Sequence, residues 1–388
     1  MKIPPELQQM ITQAKQQFPE LANASDEQVA QLIVQAMQQQ GQPPTPTSLD
    51  DEELGKLPLE QIGAIGEQMM NTGRWDEAEK VFFVGLQKAE EESNAPLQSK
   101  FLSILGHLCV KRGDYPQAME LGQQALALAK RIDDRHLMSI IYDQVGTACR
   151  AQGSYPQAIE YYKRSLEITE QIGDEVGSAD EYVNLGIVYQ YQGDFGGAVA
   201  AYKKALELSI GIGDERRAGS SYSNLGNVYQ EQGRYDLAVE MHQKSLEIKL
   251  RTDDQEGAAG IYGNLGNVHA ELGNYEQAIQ IHQKALEIMQ QMGNEPGVAR
   301  QYGNLAVIYK NLGDLGQALE YYHRDLAITE RIGDRHGAAI SYLNLGNLYL
   351  EQGEREQARA NYEKAKALFE MVGDARRVQD VARALRLL

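Results

Sequence analysis

Residues 222–246 read YSNLGNVYQEQGRYDLAVEMHQKSL, and the same frame returns every 40 residues along most of the chain. Tyr222, Leu225, Gly226 and Tyr229 fall at i, i+3, i+4 and i+7, one face of an α-helix. Gly233 ends that helix at the position where a left-handed backbone is needed. Ala238, His242, Ser245 and Leu246 then mark one face of a second helix. The unit is therefore a helical hairpin.

The register carries in both directions. Glycine stands at Gly73, Gly113, Gly153, Gly193, Gly233, Gly273, Gly313 and Gly353, and alanine at Ala78, Ala118, Ala158, Ala198, Ala238, Ala278, Ala318 and Ala358. Tyrosine keeps the same step from Tyr142 to Tyr342. A fixed period without insertions means that each unit meets its neighbours in the same way, as in a stacked array. Pro116 and Pro156 lie in first turns, where a missing N–H does no harm. The linking pairs Gly173-Asp174, Gly213-Asp214, Gly333-Asp334 and Gly373-Asp374 predict a helix stop followed by an N-cap.

The pattern Tyr-x-Asn-Leu-Gly-x-x-Tyr, then Gly-x-Tyr, Ala and Ala-Leu, resembles the tetratricopeptide repeat (TPR) over about residues 58 to 374. The period exceeds the common form of ~34 residues and lacks its closing proline. In this it is similar to the longer repeats of kinesin light chains, Pins-type adaptors and bacterial signalling TPR arrays. Tyr321 to Leu326 followed by Ile332-Gly333-Asp334 is especially similar to the Pins type. The resemblance implies an all-α, right-handed superhelical solenoid of about eight helix-turn-helix repeats. The expected organisation is an N-terminal segment over 1–50, the solenoid over 51–374 and a C-terminal capping helix over 375–388.

Within residues 1–50, Leu7, Met10, Ile11, Ala14 and Phe18 mark one amphipathic helix, and Val29, Leu32, Ile33, Ala36 and Met37 a second. Pro43, Pro44 and Pro46 lie in a linker. The expectation is either a short helical hairpin, packed on the first repeat or partly disordered, or a separate docking or self-inhibitory element.

Composition narrows the function. The 388 residues carry 37 Lys and Arg against 55 Asp and Glu, a net charge of -18, and no basic run offsets it, which argues against a nucleic-acid partner. No apolar run suits a membrane span or a secretory signal, so the reading is cytoplasmic with no membrane partner. Cys109 and Cys149 stand 40 apart at one core position, and His242, His269 and His282 substitute for repeat aromatics. No phosphate-cradling loop or His-Glu-x-x-His helix occurs. The expectation is a non-enzyme, with no catalytic residue, metal or cofactor.

One recurrent feature lies off the core pattern. Asn184, Asn224, Asn264, Asn304 and Asn344 follow the repeat tyrosine by two residues in five consecutive copies. At 100° per residue they fall 200° from that core tyrosine, opposite the core face. Asparagine is a mediocre helix former there. Asn227, Asn267 and Asn347 share the face, with Arg300 and Lys310 nearby. The asparagines are either a relic of duplication or inter-repeat contacts, or else an amide ladder. In the resembling families such asparagines line a groove and grip the backbone of an extended peptide. The leading expectation is thus an adaptor for a protein or peptide partner, and the alternative a self-assembling structural scaffold.

Overall fold

The computed structural model describes residues 51–388, and the expectations for 1–50 lie outside the described residues. Eighteen helices and no strands make up the described chain. In order they are α1 (Asp51–Lys56), α2 (Leu59–Asn71), α3 (Trp75–Glu91), α4 (Ala95–Arg112), α5 (Tyr115–Arg131), α6 (Arg135–Ala151), α7 (Tyr155–Ile172), α8 (Glu175–Tyr191) and α9 (Phe195–Gly211). There follow α10 (Glu215–Glu231), α11 (Tyr235–Arg251), α12 (Gln255–Glu271), α13 (Tyr275–Gln291), α14 (Glu295–Asn311), α15 (Leu315–Arg331), α16 (Arg335–Glu351), α17 (Arg355–Met371) and α18 (Ala375–Leu387). Consecutive helices pair in the repeating pattern of an all-α solenoid.

The helix boundaries have local causes. The eight register glycines named above and the linking glycines have φ between 67° and 83°, a region that costs other residues a Cβ clash. Ser93, Asp133 and Asp253 take the same left-handed conformation without being glycine. Asp174, Asp214, Asp254 and Asp334 each accept a hydrogen bond from the backbone N–H three residues on, capping the next helix.

The chain divides into two compact units, one ending at Ile168 and the other beginning at Thr169. In the first, Ile62, Phe82, Phe101, Leu108 and Ile141 are fully buried, and the Phe82 and Phe101 rings lie 6.0 Å apart. Cys109 and Cys149 are buried there as free thiols, and burial pushes both thiols up from their ordinary value.

In the second unit each hairpin closes on an aromatic or histidine ring. A Cβ on Gly186 would come within 2.5 Å of the Tyr202 ring, and one on Gly226 within 2.6 Å of His242. The absent side chain lets the ring fill the space between the two helices. Ser245 Oγ adds a donation to the Gly219 carbonyl at 2.8 Å. At the end of the unit, Val381 of α18 is buried against a cluster that includes Tyr362, Ala365 and Phe369.

The repeat tyrosines are flank residues more often than core ones. Tyr182, Tyr222, Tyr262 and Tyr302 are half-buried, whereas Tyr142 and Tyr342 are buried. Lys244, Lys284 and Lys364 sit over the Tyr222, Tyr262 and Tyr342 rings at 5.7, 5.8 and 4.9 Å. On α10 the buried face runs through Ala218, Ser221, Leu225, Gly226 and Val228. Asn224 therefore lies roughly a third of a turn from the centre of that face, and all five ladder asparagines are half-buried.

Candidate functional site, a polar cleft along three first helices

The helices α10, α12 and α14 are the first helices of three consecutive repeats, and each touches the next. Their N-termini are set by Asp214, Asp254 and Asn294, whose side-chain oxygens accept from Arg217, Gly257 and Gly297 N–H groups at 2.9, 2.8 and 2.9 Å. Between them runs a cleft of about 410 Å³. Ser220, Ser223 and Asn224 line it from α10, Gly260, Gly263, Asn264 and Asn267 from α12, and Arg300, Gln301 and Asn304 from α14. Five of the ten residues singled out in the sequence, Asn224, Asn264, Asn267, Asn304 and Arg300, are thereby brought together.

The lining offers hydrogen bonds in both senses, since an amide side chain both donates and accepts. Charge is confined to two cations. Lys249 is already engaged, 2.8 Å from Asp254 Oδ2, and holds that carboxyl below its ordinary value together with the Gly257 N–H. Arg300 is exposed and has no ion-pair partner among the described residues. Gly260 leaves open space around it, as no heavy atom lies within 4 Å of where its Cβ would be.

The other predicted positions are placed differently. Asn227 accepts from Asn264 Nδ2 at 3.2 Å. Asn184 on α8 and Asn344 on α16 are half-buried beyond the cleft lining, and Asn347 accepts from the Tyr362 hydroxyl at 2.8 Å. Lys310 is ion-paired with Glu351 at 3.4 Å, so it is committed within the protein. Gln190 and Gln230 likewise donate to Glu231 and Glu271, each 41 residues on.

The sequence reading missed Gln301. It is 1% exposed, lines the cleft, and stands where other repeats have Glu181, Ser221, Ile261 and Ser341. Its signal was a lone glutamine beside Arg300, with no periodicity to draw attention to it. Among the described residues no cluster of three or more His, Cys, Asp or Glu could hold a metal, and no helix is long and apolar enough to cross a membrane.

The tetratricopeptide repeat family model matches six overlapping stretches, residues 97–171, 137–211, 175–251, 217–291, 257–322 and 297–371. The chain belongs to the tetratricopeptide repeat family. No curated protein matches this TPR chain. Among solved structures it is similar to BtubC (BKLC) from P. vanneervenii, at 26% identity and a TM-score of 0.51 over 56% of this chain and 92% of that one. A signal transduction ATPase with a tetratricopeptide repeat sensor from Pyrococcus horikoshii matches at 20% identity and a TM-score of 0.60, covering 82% of this chain and 49% of that one. Aspartyl phosphate phosphatase F from Bacillus subtilis matches at 13% identity and a TM-score of 0.60, over 95% of each chain. The last two show the fold alone. Membership in the TPR family supports a protein-interaction role for these repeats.

Proposed function

We propose that this TPR protein is a non-enzymatic adaptor that holds an extended segment of a partner protein in the α10–α12–α14 cleft. The observation that carries the reading is the convergence of Asn224, Asn264 and Asn304, one from each of three successive first helices, on a single open cleft. An amide matches the donor and acceptor of a peptide bond at once. First helices packed ~8–10 Å apart give a run of roughly 20 Å over three repeats, and an extended chain rises ~3.3 Å per residue, so the cleft takes about six residues. Asn184 and Asn344 would extend the ladder at either end.

The test uses a phage-displayed library of twelve-residue peptides selected on the full chain. Peptides so enriched should bind the triple variant Asn224→Ala, Asn264→Ala, Asn304→Ala at least tenfold more weakly, since each amide contributes ~0.5–1.5 kcal/mol net. The variant should melt near wild type, because alanine is the better helix former. Equal binding by the variant would overturn the reading. A mass that grows with concentration in light scattering, with no peptide enriched, would favour a self-assembling scaffold instead.

A further inference from the structure

Two buried histidines hold the same position in consecutive repeats and differ in one contact. His242 and His282 are both fully buried, each ring lying over a glycine of the preceding helix, Gly226 and Gly266. Neither ring nitrogen of His242 has a hydrogen-bond partner. The residue 19 positions on is Ile261, which offers none. At the same spacing His282 has Gln301, and its Nδ1 lies 2.8 Å from Gln301 Oε1.

The protonation of the His282 ring follows from its other nitrogen. His282 Nε2 is buried with no partner. A proton there would orphan an N–H donor, whereas a lone pair there orphans only an acceptor, and buried orphan donors are the rarer and costlier of the two. The proton therefore sits on Nδ1, which donates to Gln301 Oε1. An amide whose oxygen is held inward turns its N–H donors the other way. Gln301 lines the cleft, where a Cβ on Gly263 would stand 3.4 Å from its Nε2 and 3.7 Å from its Oε1, and with Oε1 engaged by His282 the N–H donors are the atoms left for a ligand.

We propose that Gln301, held in one orientation by His282, is a specificity-determining donor that joins Arg300 in receiving a carboxylate of the bound segment. The proposal rests on the cleft reading above. Asn224 and Asn304 can turn either atom of their amides toward a ligand, but Gln301 cannot, because rotating it would set its N–H against the His282 N–H. Its donors and the Arg300 guanidinium, adjacent in sequence at the same cleft, present hydrogen-bond donors and positive charge together. An anionic oxygen satisfies both, and a cation satisfies neither. In a chain of net charge -18 this is a local inversion of sign. His282 acts as a positioning residue, through Gln301.

The full chain, labelled with ¹⁵N in histidine, glutamine and arginine, tests this by NMR. Long-range ¹H–¹⁵N spectra should show His282 protonated at Nδ1 and bare at Nε2. Acetate should shift the Gln301 side-chain N–H and Arg300 Nε–H signals, and methylammonium should shift neither. His282→Phe keeps the buried ring and removes the orienting donor, and Gln301→Met removes the cleft donor. Either is expected to weaken acetate binding roughly fivefold or more, with methylammonium discrimination reduced in His282→Phe. N-acetylglutamate methylamide against N-acetylalanine then names the source of the carboxylate, as a side chain or a chain end, by which binds more tightly. A proton on His282 Nε2, or acetate that binds Gln301→Met as it binds wild type, overturns the proposal. Displayed peptides indifferent to the asparagine triple variant would sink the ladder reading while leaving these spectra intact.

Discussion

Asn264 donates its side-chain amide to Asn227 Oδ1 at 3.2 Å, tying the first helices of two consecutive repeats together. The bond coincides with a substitution in the second helix. In the last repeat the residue equivalent to Asn227 is Asn347, and its oxygen accepts from the Tyr362 hydroxyl at 2.8 Å. In the repeat of Asn227 the tyrosine is replaced by His242, which carries no hydroxyl. The Asn227 oxygen is left for a neighbour, and a ladder asparagine takes it.

His242→Tyr should therefore return Asn227 to its own repeat and free the Asn264 amide. It also removes two buried ring nitrogens that have no partner. Burial pushes His242 down to about 4 from an ordinary 6.5. The unfolded chain thus binds more protons between those values, and the stability that neutral His242 allows is full above pH 6.5 and lost as pH falls toward 4. The loss amounts to roughly 3 kcal/mol at most. Melting curves from pH 7.5 to 5 should fall less steeply for His242→Tyr than for wild type, and parallel curves would reject the assignment.

Asp325 has the opposite sign. It is buried where Ser165 and Ser245 stand in other repeats, and Ser341 Oγ donates to its Oδ2 at 2.6 Å. Burial raises it to about 6 from 3.8, with the nearby Asp334 charge adding to the rise and the Ser341 bond opposing it. The folded chain holds the proton longer, so stability present below pH 4 is lost as pH rises through 6. Asp325→Ser should be stabilised at pH 7.5 by ~1–3 kcal/mol and gain little at pH 4. In that variant Ser341 can give its hydroxyl proton to the Gly337 carbonyl instead, 3.0 Å away. Urea unfolding at the two pH values measures the difference, and an equal gain at both would exclude a titration origin.

The repeat made helix ends legible because glycine and aspartate act there through backbone conformation and capping, which are local. Rotation about α10 was less secure. Taking Tyr222 as the core direction set Asn224 opposite the core, but the tyrosine lies on the flank beneath Lys244, and the buried face is led by Leu225 and Val228. An amphipathic ring can hold that intermediate place, so its recurrence marks packing without marking the centre of the core. Lys310 is placed with Arg300 near the asparagine face by sequence, but its ion-pair partner Glu351 belongs to the next repeat, 41 residues on. Gln301 was invisible for the converse reason, since it occurs once and its meaning depends on His282 in the preceding helix.

Removal of residues 375–388 tests the C-terminal helix as a cap. Val381 is fully buried and Arg377 lies over the Phe369 ring at 5.5 Å, so α18 covers an otherwise apolar end of α17. Stacked repeats need such a polar outer face to remain soluble. The truncated chain should lose at least ~2 kcal/mol and aggregate on heating. A truncation as soluble and heat-stable as the intact chain would show that the last repeat closes itself.

Two glycines on α12, six residues apart, should respond to alanine in opposite ways. A Cβ on Gly266 would stand 2.5 Å from His282 Nε2, and that ring is fully buried with nowhere to move. Gly266→Ala should cost ~1–3 kcal/mol through overpacking, and by displacing His282 it should disturb Gln301 as well. Gly260 has nothing within 4 Å of its Cβ position and lines the cleft. Gly260→Ala should raise stability by up to ~1 kcal/mol, since mid-helix glycine is the poorer helix former. The added methyl nevertheless narrows the cleft between Asn224 and Arg300. Selected peptides should bind Gly260→Ala more weakly although the protein itself is more stable, a separation that lost folding cannot mimic. Unchanged peptide affinity together with the expected gain in stability would place the bound segment away from α12.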